Sequence, residues 1–213
     1  MQLNKQKGFT LVEIAIVLVI VGLLIGGVLK GQEMITNAKI KRIESDNAGI
    51  AAAMFSYQDR YLQLPGDDNA AVARFDTFTG TNSGNGNGLI GGNWNSATAT
   101  DETVLFWRHL RAAGLVPGGE SLTTLPSNAY GGMIGIHDSG LGIGGHVLVF
   151  GALEGAVAKI LEARLDDTLA NAGRVRGEVT TGTGTINSAP TTNTAPTNAA
   201  YADESRYNLV FRL

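Results

Sequence analysis

Glu13 is the one ionisable side chain in the long apolar run between Phe9 and Leu29. A carboxylate at the centre of a membrane helix costs about 2.5 to 3.5 kcal/mol, and less near a helix end. The chemistry that it offers there is ion pairing with an amine. Cleavage after Gly8 would give Phe9 a new amino group one helical turn away, and a neighbouring copy would offer the same group. The alternative is an interfacial carboxylate that extends toward the polar surface.

Two pairs of adjacent aspartates could supply hard oxygen ligands to calcium. Asp67 and Asp68 follow Pro65, and Asp166 and Asp167 follow a predicted helix. Carboxylate oxygens are the ligands that calcium prefers, but neither pair has the ordered spacing of a known calcium loop. Exposed turn and capping residues explain both pairs equally well. We therefore expect no obligatory cofactor, with calcium at these four aspartates as the alternative.

No catalytic constellation is visible in the sequence. His109, His137 and His146 lack metal-ligand spacing, and the absence of cysteine excludes disulfides and cysteine-based metal sites. These histidines are expected to be structural. The glycine-rich run from Gly140 to Gly145 lacks the Lys-Ser/Thr ending of a phosphate loop, and no nucleophile has a neighbouring base. We expect a protein that is not an enzyme.

The apolar run that contains Glu13 predicts a membrane-spanning helix. As an α-helix rising ~1.5 Å per residue, residues 9–29 span roughly the ~30 Å of a bilayer core. A cleaved secretory signal has a cleavage site after its apolar region, whereas here the small residue Gly8 precedes the run. Gly22, Gly26 and Gly27 permit either close helix packing or local unwinding, and the sequence leaves both open.

The helix is predicted to continue beyond the membrane through residues 30–64. Apolar or aromatic side chains recur there at spacings of three and four, which marks one face of an amphipathic helix. That face consists of Ile40, Ile43, Ile50, Met54, Tyr57, Tyr61 and Leu64, with Asn47 at its one polar position. Pro65-Gly66 is predicted to end the helix.

Residues 65–213 predict a globular domain of helices and strands. A short capped helix follows Asp101, and a second helix at Leu153 to Leu165 places Glu162 on its outward polar face. Apolar patterning predicts four strands at Met133 to His137, His146 to Gly151, Arg174 to Thr180 and Tyr207 to Leu213. The expected class is α+β, with a long N-terminal helix packed on a C-terminal antiparallel sheet.

Two irregular segments are expected to be surface loops. The segment at 79–95 is rich in Gly and Asn, and the segment at 180–200 is rich in Thr, Asn, Ala and Pro. Neither shows the periodicity of a helix or a strand.

The net charge disfavours nucleic acid as a partner. The formal charge is −3, and loss of Lys5 and Lys7 with a leader leaves 14 basic against 19 acidic residues, or −5. Non-specific nucleic-acid binding depends on Lys and Arg at phosphates. We expect no specific nucleic-acid binding.

The sequence Gly8-Phe9-Thr10-Leu11-Val12-Glu13, after a basic leader and before an apolar helix, resembles the class III signal of type IV pilins and type II secretion pseudopilins. The resemblance implies that prepilin peptidase cuts between Gly8 and Phe9 and methylates the Phe9 amine. It also implies an assembly role for Glu13. The precursor is then a single-pass protein of the bacterial inner membrane, with its leader in the cytoplasm.

A looser likeness to longer prepilin-like proteins extends into the domain. It rests on Leu64-Pro65-Gly66-Asp67, the Gly84 to Gly88 loop, Trp107-Arg108-His109-Leu110 and Leu165-Asp166-Asp167. The absent cysteine pair departs from the many pilins that close a C-terminal loop with a disulfide.

The resemblance implies a structural subunit that polymerises into a helical filament of identical copies, either an extracellular pilus or a filament spanning the periplasm. Its partners are then prepilin peptidase, the inner membrane and the pilus assembly machinery. The expected segments are a leader at 1–8, a membrane and filament-core helix at 9–29, its amphipathic continuation at 30–64 and a domain at 65–213. The alternatives are a type II secretion pseudopilin and a membrane-tethered binding module or adhesin that does not polymerise.

Overall fold

The computed structural model describes residues 9–180, 197 and 200–213. The chain divides into two compact units, Met1–Lys41 and Arg42–Leu213. The predicted leader at 1–8 lies outside the described residues, and so does nearly all of the predicted loop at 180–200.

Helix α1 (Leu11–Tyr61) is 51 residues long, which confirms the predicted long N-terminal helix. In the first unit, every large apolar side chain from Leu11 to Leu29 is exposed. By length and composition, α1 could cross a membrane. A continuous apolar surface of this kind requires lipid or other helices to cover it, because water disfavours apolar patches of this size.

In the second unit, α1 buries the predicted stripe of apolar side chains. The enclosed members are Ile43, Ile50, Met54 and Tyr57. The helix ends at Tyr61, and Leu62 adopts a left-handed backbone conformation with φ of 55°. The predicted end at Leu64 therefore lies beyond the real one, because the chain leaves the helical conformation before it reaches the Pro65-Gly66 pair.

A four-stranded antiparallel sheet forms the centre of the second unit, with strand order β1-β2-β4-β3. The strands are β1 (Ile134–His137), β2 (Val147–Glu154), β3 (Val175–Val179) and β4 (Arg206–Arg212). β2 and β4 are the central strands, and both are buried except at their ends. The sheet and α1 together confirm the α+β class.

The pairing of β2 with β4 contains a bulge. Register shifts between Phe150 and Leu153, and Ala152 between them has φ of 61°. The Asn208 side-chain oxygen accepts a hydrogen bond from the Ala152 N–H at 3.4 Å. The buried Asn208 side chain thus accepts from a backbone N–H that the bulge leaves without a partner in the β2–β4 pairing.

Three further helices belong to the second unit: α2 (Ala71–Arg74), α3 (Glu102–Ala112) and α4 (Gly155–Leu165). The predicted helix after Asp101 is α3, and it is buried from Glu102 to Leu110. α4 begins later than predicted because Leu153 and Glu154 are the last residues of β2.

The Gly- and Asn-rich segment at 79–95 is wrongly predicted as a surface loop throughout. Ile90 and Trp94 are fully buried, and Trp94 packs in a core cluster with Leu141, Ile143, Val147, Val149 and Val210. The Trp94 carbonyl lies where a Cβ of Gly135 would stand, so the glycine permits this close approach. The segment contributes to the core despite its polar composition.

Candidate functional site

Thr10 and Glu13 form reciprocal hydrogen bonds at the start of α1. Glu13 Oε2 accepts from the Thr10 backbone N–H at 2.7 Å and from the Thr10 hydroxyl at 2.8 Å. The Glu13 backbone N–H donates to Thr10 Oγ1 at 3.2 Å. This is a capping box, with Thr10 as the N-cap and Glu13 as the third helical residue. It partners two backbone donors that the first turn would otherwise leave unpaired.

The capping box gives Glu13 a structural role within a single chain. A carboxylate at a helix N-terminus also interacts favourably with the helix dipole. Thr10 was not among the predicted site residues, although Thr-x-x-Glu ahead of an apolar run is the signal that would have identified it.

Phe9 immediately precedes this box, and its side chain is 84% exposed. Gly8, the other half of the predicted cleavage site, lies outside the described residues. Cleavage between Gly8 and Phe9, methylation of Phe9 and pairing of its amine with Glu13 remain predictions.

The loop from Gly84 to Gly88 wraps around the carboxylate of Asp67. Asp67 Oδ1 accepts from the N–H groups of Gly86 at 2.6 Å and Asn87 at 3.0 Å, and Oδ2 accepts from that of Gly88 at 2.7 Å. Hydrogen bonds to an ionised acceptor are stronger than neutral ones, and Asp67 is buried. Asp67 therefore fixes the loop.

Asp68 is also buried, and it joins α1 to the short helix α2. Its Oδ2 accepts from the Tyr57 hydroxyl at 2.7 Å and pairs with Arg74, while Oδ1 accepts from the Ala70 N–H at 2.8 Å. Burial, together with the hydrogen bond to Asp68, raises the pKa of Tyr57. The prediction of exposed turn residues is wrong for Asp67 and Asp68, because protein donors engage both carboxylates in the interior.

His109 on α3 connects two loops of the same region. Its Nδ1 accepts from the Gly66 N–H at 3.0 Å, which leaves Nε2 to donate to the Asn82 carbonyl at 2.8 Å. The ring is fully enclosed and neutral in this arrangement, and burial lowers the pKa of His109. The expectation of a structural histidine is confirmed here.

The second aspartate pair lies elsewhere, at the end of α4, where it meets a third carboxylate. One oxygen each of Glu162, Asp166 and Asp167 lies within 4.8 Å of the other two. Glu162 is fully buried, so its predicted outward position on α4 is wrong. The segment before β4 covers it, and the Tyr201 hydroxyl donates to Glu162 Oε2 at 3.2 Å. Burial, with a further effect from both aspartates, raises the pKa of Glu162 to about 8.

One of these sites, at the start of α1, lies in a segment that matches a known family model. Residues 3–29 match the family model described as the prokaryotic N-terminal methylation motif, and Phe9, Thr10 and Glu13 lie within the match. Residues 3–29 are a class III prepilin signal. No curated protein and no solved structure matches the chain.

The prepilin signal covers the same segment as the Thr10 and Glu13 capping box. It implies processing by a peptidase and entry into pilus or secretion assembly, and it supports a type IV pilin-like or pseudopilin-like protein. With the apolar part of α1, it fits a precursor anchored in the inner membrane. Proteins with this motif are structural rather than catalytic. The candidate functional site is therefore the segment from Phe9 to Glu13 at the start of α1.

Proposed function

We propose that the chain is a structural subunit of a type IV pilus-like filament. In this proposal prepilin peptidase cuts between Gly8 and Phe9, methylates the Phe9 amine and leaves α1 to polymerise. The observation that carries the proposal is the prepilin signal at 3–29, because it continues into an α1 segment whose large apolar side chains are all exposed.

The exposed surface of α1 has two successive environments. Lipid covers residues 11–29 in the membrane, and the same surface packs against α1 of neighbouring copies in the filament. Helix association in an apolar solvent depends on close backbone approach at small residues. A Cβ at Gly22, Gly26 or Gly27 would meet no atom of this chain, so a neighbouring helix can approach there.

Glu13 supplies the polar element of this contact. The Phe9 amine of a neighbouring subunit pairs with Glu13, whose carboxylate accepts hydrogen bonds from Thr10 in the described part of the chain. A desolvated ion pair favours assembly only when its geometry is good, so a misplaced subunit would leave a charge unpaired. The ion pair therefore favours one axial position of each α1 helix relative to its neighbour in the filament. In a simple membrane tether Glu13 would serve only to cap α1, whereas pairing with a neighbouring Phe9 amine requires assembly.

The assembled location is the cell surface in this proposal. A secretion pseudopilus uses the same N-terminal chemistry and ends in the periplasm. The Gly-rich loop at 84–88 and the Thr/Asn-rich composition at 180–200 suit a filament exposed outside the cell. Mechanical shearing separates the two locations, because it releases surface pili and leaves periplasmic filaments with the cells.

Substitutions at Glu13 test the proposal. Glu13→Ala removes both the charge and the capping box, whereas Glu13→Gln removes only the charge, because glutamine also completes a capping box. We expect both variants to insert in the membrane at normal levels and to lower the yield of sheared filaments about tenfold or more, since about 1.4 kcal/mol per contact suffices for a tenfold effect. Immunoblots of membrane and sheared fractions measure both quantities.

Thr10→Ala is the matched control. It removes the hydroxyl of the capping box and retains the Glu13 charge, so we expect filament yield close to that of the parent. Normal yield from Glu13→Gln, with loss in both Glu13→Ala and Thr10→Ala, would show that Glu13 serves only to cap α1 and would contradict the assembly role.

A further inference from the structure

Three carboxylates converge where α4 ends and the chain turns toward β3. Glu162 lies on the last turns of α4, and Asp166 and Asp167 follow the helix directly. One oxygen of each lies within 4.8 Å of the other two. Among the described residues, none of these three side chains takes part in a salt bridge. Three acidic groups at this distance repel one another when they are ionised.

Glu162 provides an independent indication of a missing partner. Its side chain is 0% exposed, and its Oε1 has no hydrogen-bond partner among the residues that the structure describes. Buried polar atoms are nearly always hydrogen-bonded, and an unpaired one is costly, most of all when it is charged. The other oxygen accepts only the Tyr201 hydroxyl, which cannot neutralise a carboxylate. The arrangement lacks a positive charge.

Backbone amides hold both aspartates in fixed orientations. Asp166 Oδ2 accepts from the N–H groups of Arg174 and Val175, the latter at 2.6 Å. Asp167 Oδ1 accepts from the Leu169 N–H at 3.0 Å. One oxygen of each aspartate is therefore oriented by backbone of the same chain. Hydrogen bonds of this type orient the ligands in metal sites generally.

We propose that Glu162, Asp166 and Asp167 bind a calcium ion. Carboxylate oxygens without His or Cys favour a hard cation over zinc. Calcium binds its oxygen ligands at about 2.3 to 2.6 Å, so two oxygens on opposite sides of the ion are up to ~5 Å apart. The three carboxylate oxygens, which lie within 4.8 Å of one another, fit this geometry. Asp167 is exposed, and water completes the coordination on that side. The aspartates at 67 and 68 are excluded from this proposal, because protein donors engage them.

The ion would connect three parts of the second unit. It joins the end of α4 to the start of β3, through the Asp166 contacts with Arg174 and Val175. Through Glu162 and Tyr201 it also fixes the segment that leads into β4. Calcium would thereby stabilise β3, which stands at the edge of the described sheet beside β4.

Tyrosine-sensitised terbium luminescence tests the site, because Tyr201 lies in contact with Glu162. The full chain in mild detergent should sensitise bound Tb³⁺, and Ca²⁺ should displace it with a midpoint on the order of 10⁻⁴ M, as in weak extracellular sites. Mg²⁺ should require at least about tenfold more, because it demands tighter octahedral geometry. Saturating Ca²⁺ should raise Tm by about 5 °C over the protein in EDTA.

Glu162→Gln and Asp167→Asn should each weaken Tb³⁺ and Ca²⁺ binding about tenfold or more. Glu162→Gln keeps an acceptor for Tyr201, and Asp167 is exposed, so at least the second variant folds. Glu204→Gln, an exposed carboxylate near Tyr201, is the control and should bind as the parent does. Absence of Ca²⁺-displaceable luminescence, equal displacement by Mg²⁺, or unchanged affinity in Asp167→Asn would each overturn the proposal.

Discussion

Asp67 and Glu102 each hold a stretch of Gly- and Asn-rich backbone through their carboxylate oxygens. Asp67 accepts three N–H groups of the Gly84 to Gly88 loop. Glu102 accepts from Asn85 at 2.9 Å and from Gly91 at 2.7 Å. Because glycine-rich backbone has many unfolded conformations, such loops need specific partners to become ordered.

Replacement of Asp67 tests this role. Asp67→Asn places an NH₂ donor opposite backbone N–H donors, so at least one N–H group of the loop loses its acceptor. We expect the free energy of unfolding to fall by about 3 kcal/mol. Urea unfolding of the full chain in detergent measures it through the fluorescence of Trp94 and Trp107, both of which are buried. Asp59→Asn, on an exposed face of α1, should change stability by less than about 0.5 kcal/mol.

A loss below about 0.5 kcal/mol in Asp67→Asn would show that the loop does not depend on this carboxylate.

His109 makes the second unit sensitive to acid. Burial lowers its pKa in the folded state, although Asp68 opposes the effect and Arg108 and Arg74 add to it. A lowered folded pKa means that unfolding takes up a proton, so the contribution of His109 is complete above about pH 6.5 and is lost as the pH falls toward the folded value. We expect the contribution of His109 to stability to decrease between pH 7 and 5.5 by at most about 1.4 kcal/mol per pH unit, whereas Glu162, whose pKa is raised to about 8, contributes a slope of opposite sign over the same range.

Urea unfolding at several pH values measures this slope. His109→Gln should remove the part of the slope that His109 contributes. An unchanged slope in His109→Gln would assign the acid sensitivity to other groups.

At the scale of elements, local patterns predicted most of the architecture. All four strands lie within about a residue of their predicted starts, because alternating or continuous apolar runs bounded by turn residues identify strands from local sequence. The stripe on α1 follows from helical periodicity in the same way. The local sequence does not predict that β2 continues through Leu153 and Glu154. This extension depends on a bulge and on pairing with the distant strand β4.

Burial of Trp94 and Glu162 was not predictable for the same reason. Trp94 occupies a space that exists only because Gly135 and Gly151 come together on β1 and β2. Glu162 is covered by Tyr201, which is 39 residues away in the sequence. Thr10, Phe9 and Glu13, in contrast, belong to one continuous segment, and sequence patterns find such sites most readily.

The contact between Trp94 and β1 gives a prediction for the sheet. A Cβ at Gly135 would collide with the Trp94 carbonyl, which is part of the backbone and cannot rotate away. We expect Gly135→Ala to lower the free energy of unfolding by about 3 kcal/mol, the upper range for an overpacked core. Gly144→Ala is the matched control, because its Cβ would meet no atom. Equal Tm values for the two variants would contradict this packing.

At the scale of the whole molecule, the two units require different surroundings. In the first unit the large apolar side chains of residues 11–29 are exposed among the described residues, whereas the second unit encloses a core around its sheet. Such a chain is stable only with lipid or neighbouring helices around its N-terminal part. In the proposed filament, polymerisation would exchange one apolar environment for another, and Glu13 would make that exchange specific.

Mass spectrometry of the native N-terminus in sheared extracellular filaments tests the central claim most directly. Cells expressing the full chain supply the filaments, and a peptide that begins at N-methylated Phe9 is the expected result. Abundant filaments with this N-terminus would establish processing at Gly8 and assembly on the cell surface. An intact Met1 start, or a processed chain confined to the cell envelope, would contradict a surface pilus.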